Sequence, residues 1–181
     1  LELSTIGAEV IAKEIGEEPF HFVGHGVGGH VGLAIAAKHA NCESVTLSGT
    51  PFANAYSANI FSYHFSKILL KWNLSITLAK WMIIKLYSVG DGLERKLVSG
   101  MLDITLKQAN NHTLVKLSRP DVHTIEHHRE LLQRIKHPVL IIAGSYDRMS
   151  ASNEQKEAAR LARRGTFVEV KSGFMTFFTA A

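Results

Sequence analysis

Residues 20–29 read FHFVGHGVGG, and this stretch decides the fold class. Its first four residues are apolar or aromatic apart from His21, which is typical of a short buried strand. The glycines that follow predict a turn, and residues 27–39 read as a helix rich in glycine and alanine. Because such small side chains let a helix approach a sheet closely, the stretch predicts a strand, a sharp turn and a tightly packed helix.

The sequence around this stretch extends it into an α/β pattern. Residues 44–48 predict a second strand, which with residues 20–39 forms a βαβ unit with parallel strands. The pattern returns near the end of the chain as a buried strand, a helix and a last strand, at residues 138–143, 152–163 and 166–170. We therefore expect an α/β fold, with a partial parallel sheet flanked by helices.

Residues 52–136 interrupt this pattern, since they show helical periodicity and no clear strand. We divide the chain into a partial α/β core, residues 1–51 and 137–181, and an inserted helical lid, residues 52–136. Residues 60–87 are apolar and aromatic, but lysines recur among them, so they lack the roughly 20 apolar residues of a membrane span. We interpret them as lid or core helices rather than as a lipid-contacting segment.

Composition excludes several classes of protein. The 181 residues suit one domain, and 46% hydrophobic with 20% charged residues excludes collagen and low-complexity disorder. The single cysteine, Cys42, excludes an internal disulfide and a cysteine-based zinc site, which favours a reducing compartment and a cytoplasmic location. The net charge of +4 is only mildly basic, and a nucleic-acid protein would be expected to show a clustered basic patch. We therefore expect no nucleic-acid partner.

Two ligand sites are suggested by short motifs. Gly24, Gly26 and Gly29 fit the dinucleotide pattern G-x-G-x-x-G, but the acid that should end the next strand is absent. His123 and His127 have the spacing of two metal ligands on one helix face, yet no third ligand is fixed. We interpret that face as solvated, and we expect neither a cofactor nor a metal.

The glycine turn also fits a nucleophile elbow, in which small residues flank a nucleophile between a strand and a helix. Gly24 and Gly28 are then the small residues, and Gly26 stands at the nucleophile position. The elbow forces its central residue into a strained conformation, often with positive φ, which glycine adopts with little penalty.

Residues 22–29 resemble the V-G-H-S-x-G-G signature of the α/β-hydrolase family of lipases and esterases, with Gly26 in place of serine. Residues 48–51 resemble that family's segment after the next strand, and residues 138–147 resemble its later strand, which ends in G-x-x-D. The resemblance implies an α/β-hydrolase fold. It makes Asp147 the acid of a catalytic triad and the Val27 N–H a donor to an oxyanion.

The departures from the family pattern imply that the chain is inactive as given. Gly26 has no side chain, so covalent acyl transfer through this position is not possible. In residues 171–175 the family's histidine is replaced or skipped. His25 flanks the elbow, and we expect it among the substrate-binding residues. The family's first strands and oxyanion loop correspond to sequence before Leu1, so we expect a preceding segment or a partner chain to complete the sheet.

The expected ligand is a small apolar acyl, ester or aromatic compound. It would bind beneath the lid, whose aromatic residues include Phe61, Trp72 and Trp81. One hypothesis is an esterase-lineage enzyme that has lost its catalytic residues. The alternative is a non-catalytic pseudo-hydrolase used for binding or scaffolding, and a dinucleotide-binding fragment is the third and least favoured.

Overall fold

The computed structural model describes residues 2–52, 81, 92–108, 122–147 and 150–179. Within these ranges it has six helices and four strands. In chain order they are α1 (Glu2–Ile15), β1 (Phe20–His25), α2 (Val27–Lys38), β2 (Cys42–Ser48), α3 (Gly92–Gln108), α4 (Val122–Arg134), β3 (Val139–Gly144), α5 (Ser152–Leu161), β4 (Gly165–Val170) and α6 (Thr176–Thr179).

The four strands form one parallel sheet in the order β1-β2-β3-β4. Phe22 pairs with Val45 between β1 and β2, and Val45 in turn pairs with Val139 of β3. The expected parallel sheet flanked by helices is confirmed. Because all strands run the same way, the loops that leave their carboxyl ends gather at one edge, where ligand sites of open α/β sheets lie.

One face of the sheet carries the hydrophobic core. Val45, Leu47 and Ile141 are fully buried there against residues of α2, α4 and α5. From α4, Leu131 and Leu132 are buried in this core. Ile135, just after the helix, is buried there as well. The end of the range interpreted as a lid thus takes part in the same core as the strands.

The opposite face of the sheet is more open. Val23 of β1 is 61% exposed and Val168 of β4 is 42% exposed, while Thr46 and Ile142 between them are only partly buried. Among the described residues, β1 pairs with β2 alone, so its other side is an edge of the sheet.

The glycines of α2 explain how closely this helix approaches the sheet. A Cβ atom on Gly32 would overlap the ring of Phe22 in β1, and one on Gly29 would overlap the side chain of Thr50. The close packing expected from small residues in this helix is therefore present in the structure.

Most of the range interpreted as a lid lies outside the described residues, and with it Phe61 and Trp72. Trp81 is described, and it is 55% exposed. In the parts of the chain that the structure describes, no helix has both the length and the apolar run that crossing a membrane requires.

Candidate functional site

The turn between β1 and α2 has an unusual backbone. Gly26 has φ 55° and ψ −124°, which is the positive φ expected for the centre of this turn. Its N–H donates to the carbonyl of Ser48 over 2.9 Å, which fixes the turn against the end of β2. Gly24 has no room for a side chain, since its Cβ would lie 2.6 Å from the carbonyl oxygen of Gly28. The positive φ explains the glycine at position 26, and the lack of space explains the glycine at position 24.

The ring of Phe174 covers this turn. A Cβ placed on Gly26 would lie 3.3 Å from Cζ of Phe174, and one on Gly49 would lie 3.2 Å from the same ring. The Phe174 ring also packs against His25, with 4.4 Å between the ring centroids. A hydrocarbon ring therefore occupies the space directly in front of residue 26.

Phe174 is held in place by the loops that leave β3 and β4. The Tyr146 N–H donates to the carbonyl of Ser172 over 3.0 Å, and Gly144 leaves no room for a Cβ beside the backbone of Ser172 and Gly173. These contacts fix the backbone immediately before Phe174. The sequence leaves open whether a histidine is replaced or skipped here, and in the structure the residue after Gly173 is the one that faces Gly26.

Two buried hydroxyl groups join the same region to β2. The side chains of Ser48, at the end of β2, and Thr176, at the start of α6, form a hydrogen bond in the interior. This contact ties α6 to the end of the strand that receives the Gly26 N–H. The contact therefore anchors the chain just after Phe174, whereas the loop contacts described above anchor it just before.

Asp147 lies in the loop after β3, at the same edge of the sheet as Gly26, and it is buried. Its carboxylate accepts hydrogen bonds from Ser150, over 3.1 Å from the backbone N–H and over 2.8 Å from the hydroxyl. Gln155 of α5 in turn donates to the Ser150 carbonyl over 2.8 Å. The carboxylate is therefore held by the loop that leads into α5.

His25 and Val27 flank Gly26 on either side. Burial lowers the pKa of His25, and the backbone of Ser48 partly offsets this effect, so the imidazole is neutral at pH 7. The Val27 side chain is exposed, and its N–H is at the first position of α2, where a helix supplies no acceptor of its own. The first N–H groups of α2, that of Val27 among them, therefore point out of the helix at this turn.

The rings that pack around the turn are aromatic. Phe174 and His25 line the turn, and the ring of Phe177 lies 6.2 Å from that of His25. Across the described part of the chain, no three His, Cys, Asp or Glu side chains are grouped as metal ligands. The residue that sequence reasoning did not single out is Phe174, whose ring lies in front of Gly26 although nothing in the local sequence pattern marks it.

No protein-family model and no curated protein matches the chain. Several solved structures are similar to it. The enol-lactonase from Burkholderia xenovorans LB400 has a TM-score of 0.71 at 20% identity, over 95% of this chain. A bromoperoxidase from Bacillus anthracis has a TM-score of 0.75 at 16% identity over 97% of this chain, and a thermophilic esterase from Thermogutta terrifontis has 0.70 at 16% over 97%.

These likenesses show that the chain has the α/β-hydrolase fold, as the resemblance in residues 22–29 implies. The chain spans 65% of the length of the enol-lactonase, 67% of the bromoperoxidase and 66% of the esterase.

Proposed function

We propose that this protein comes from the esterase branch of the α/β hydrolases, and that its Gly26 turn binds a small apolar acyl, ester or aromatic compound without cleaving it. The observation that carries this proposal is the Phe174 ring, which packs against Gly26. Ester cleavage by this fold needs a nucleophilic side chain and a base within hydrogen-bonding reach of each other. Here neither position carries such a group.

Binding is supported by the groups that remain. The Val27 N–H suits a carbonyl oxygen, as it would in an oxyanion site, and the rings of Phe174 and Phe177 suit an acyl or aromatic group. Exposed apolar side chains on Val27 and Tyr146 add surface of the same character at this end of the sheet. Trp81, with Phe61 and Trp72 of the proposed lid, would cover the ligand.

The preferred explanation of the missing side chains is that the site was lost from an ancestral hydrolase, and a binding or scaffolding pseudo-hydrolase is the alternative. We also propose that the β1 edge is completed by a preceding segment or by a partner chain. The unpaired edge of β1 among the described strands supports this, because an exposed strand edge tends to pair with another chain.

Two measurements test the absence of catalysis. We expect no turnover of nitrophenyl esters and no covalent labelling by a serine-directed phosphonate, since no serine faces a base at this turn. Stoichiometric labelling of Ser48 or Ser145 would place the reactive centre elsewhere and contradict the proposal.

Ligand binding is tested by the fluorescence of Trp72 and Trp81 during titration with acyl and aromatic probes. We expect saturable quenching, which the substitution Phe174→Ala should change and the substitution Phe167→Leu, on the core face of β4, should leave unaltered. A folded protein that shows no saturable quenching with any probe would refute the binding function.

Rebuilding the catalytic groups tests the assignment of positions. Gly26→Ser alone should leave ester turnover at background, because no base is placed to accept the hydroxyl proton. Gly26→Ser combined with Phe174→His should raise turnover above both single variants, since the histidine then faces the serine. High turnover with Gly26→Ser alone would mean that another residue acts as the base, and would show the positional assignment to be wrong.

A further inference from the structure

Two segments at the amino-terminal edge of the sheet carry an excess of positive charge. Residues 133–138 lead from the end of α4 to β3, and residues 160–165 lead from the end of α5 to β4. Neither segment contains an acidic residue. Their lysine and arginine side chains are all exposed, and we call them the basic rim: Arg134, Lys136, Arg160, Arg163 and Arg164. The Gly26 turn lies at the opposite, carboxyl-terminal edge, so the basic rim has no part in the proposed binding function.

The fold brings these two segments together. Arg163 donates from Nε to the carbonyl of Gln133, in the last turn of α4, over 3.1 Å. The N–H of Val139, the first residue of β3, donates to the carbonyl of Arg164 over 3.0 Å. Since β3 and β4 are neighbours in the sheet, the cations of both segments belong to one surface.

Helix dipoles account for only part of this charge. A helix favours cations in its last turn, which suits Arg134 of α4 and Arg160 of α5. Each of these arginines also pairs with a glutamate one turn earlier on its own helix. Lys136, Arg163 and Arg164 lie beyond the last turns, and no carboxylate of the described residues pairs with them. These three charges are therefore available to a partner.

The other half of the same edge has the opposite charge. The end of α1, the loop before β1 and the start of β2 carry exposed carboxylates, which we call the acidic rim: Glu14, Glu17, Glu18 and Glu43. The side-chain amide of Asn41 donates to the carbonyls of Gly16 and Glu18, which holds the connections to β1 and β2 together. Lys13 and Lys38, in the last turns of α1 and α2, offset part of this negative charge.

This division of charge limits the size of an anionic partner. Because neighbouring strands are about 4.8 Å apart, the acidic rim lies about 10 Å from the basic rim, roughly one Debye length at physiological salt. A lipid bilayer or a nucleic-acid duplex would cover both rims and be repelled by the carboxylates. Residues 133–138 and 160–165 also have no exposed aromatic or large apolar side chain on which bases could stack or which a membrane could take up. A short run of carboxylates meets neither obstacle.

We propose that the basic rim binds a short acidic segment of a partner protein, whose aspartate or glutamate carboxylates pair with Lys136, Arg163 and Arg164. Arginine suits this partner, because the fork of its guanidinium matches the two oxygens of a carboxylate. Arg163 anchors the surface, since its Nε bond to Gln133 holds the guanidinium in place. The proposal is independent of what binds at the Gly26 turn.

Fluorescence anisotropy of a labelled hexaglutamate peptide, titrated with the full chain at pH 7, tests this proposal. We expect saturable binding at about 20 mM salt, weakened about tenfold at about 200 mM because exposed charges are screened. The double variant Lys136→Gln with Arg164→Gln should weaken binding about fivefold, since it removes two exposed charges that the peptide pairs with.

The matched control is Lys13→Gln with Lys38→Gln, which lowers the net charge equally but acts at the acidic rim. It should leave the affinity for hexaglutamate unchanged. Equal weakening by the two double variants would reveal a response to net charge alone and overturn the proposal, as would the lack of saturable binding at low salt. Tighter binding of a single-stranded RNA hexamer, or of vesicles containing phosphatidylserine, would overturn it in favour of that partner.

Thermal unfolding establishes that both double variants are folded. If the double variant of the basic rim does not fold, backbone NMR of the wild type decides. Hexaglutamate should then shift the amide signals of residues 133–138 and 160–165, and shifts confined to other parts of the chain would refute the proposal.

Discussion

Position 26 favours glycine for two separate reasons. Its φ of 55° lies where side chains are strained, and the ring of Phe174 limits the space in front of it. Gly26 and Phe174 therefore complement each other, since the absence of a side chain at position 26 leaves room for the ring.

The two contributions at position 26 are separable by mutation. Gly16 has a similar φ of 67°, but no atom lies within 4 Å of the place that a Cβ would occupy, so Gly16→Ala should cost only the strain, about 1 kcal/mol. Gly26→Ala should cost about 2–3 kcal/mol, because displacement of the Phe174 ring adds to the strain. Urea denaturation of both variants measures the difference, and equal losses would show that the Phe174 ring yields without cost.

At the scale of elements, buried runs and turn residues were sufficient to predict the sheet. Each predicted strand boundary lies within two residues of the observed one, because short runs rich in apolar and β-branched residues are bounded by turn residues. The buried face of α1 was harder to predict. Ile6 and Val10 have helical spacing but are exposed, whereas Ala8 is buried. Periodicity identifies a helix, but only its neighbours determine which side is covered.

Close packing of α2 gives a prediction about glycine. Gly32→Ala should destabilise the protein by about 1–3 kcal/mol, because the added methyl group would overlap the ring of Phe22. Gly100→Ala in α3 is the matched control. Nothing lies within 4 Å of that position, so the change should stabilise the protein by about 0.5–1 kcal/mol through helix propensity. Thermal unfolding compares them, and a loss at both positions would contradict the packing argument.

For the whole molecule, the sequence predicts the sheet and the position of Gly26, but not which distant side chains meet there. Phe174 reaches Gly26 from the other end of the chain, and His128 reaches His30 across residues 53–121. Such contacts depend on the arrangement of all four strands. They leave no local periodicity or spacing from which to predict them.

The open side of the sheet predicts self-association. Val23 lies on the open face of the edge strand β1 with 61% of its surface exposed, and unpaired edge strands with apolar side chains template pairing between chains. Val23→Lys should therefore shift sedimentation toward the monomer. Ile6→Lys replaces a similarly exposed apolar side chain on α1 and should have little effect. Equal effects of the two substitutions would point to general hydrophobic aggregation instead of pairing at the edge.

The pairing of β2 with β3 has a consequence for how the chain folds. Val45 and Val139 are register partners although 94 positions separate them, whereas β1 with β2, and β3 with β4, are each joined through a single short helix. Closing the long connection costs more chain entropy than closing either short one. We therefore expect β1 with β2, and β3 with β4, to form first. The pairing of β2 with β3 in the middle of the sheet then forms last.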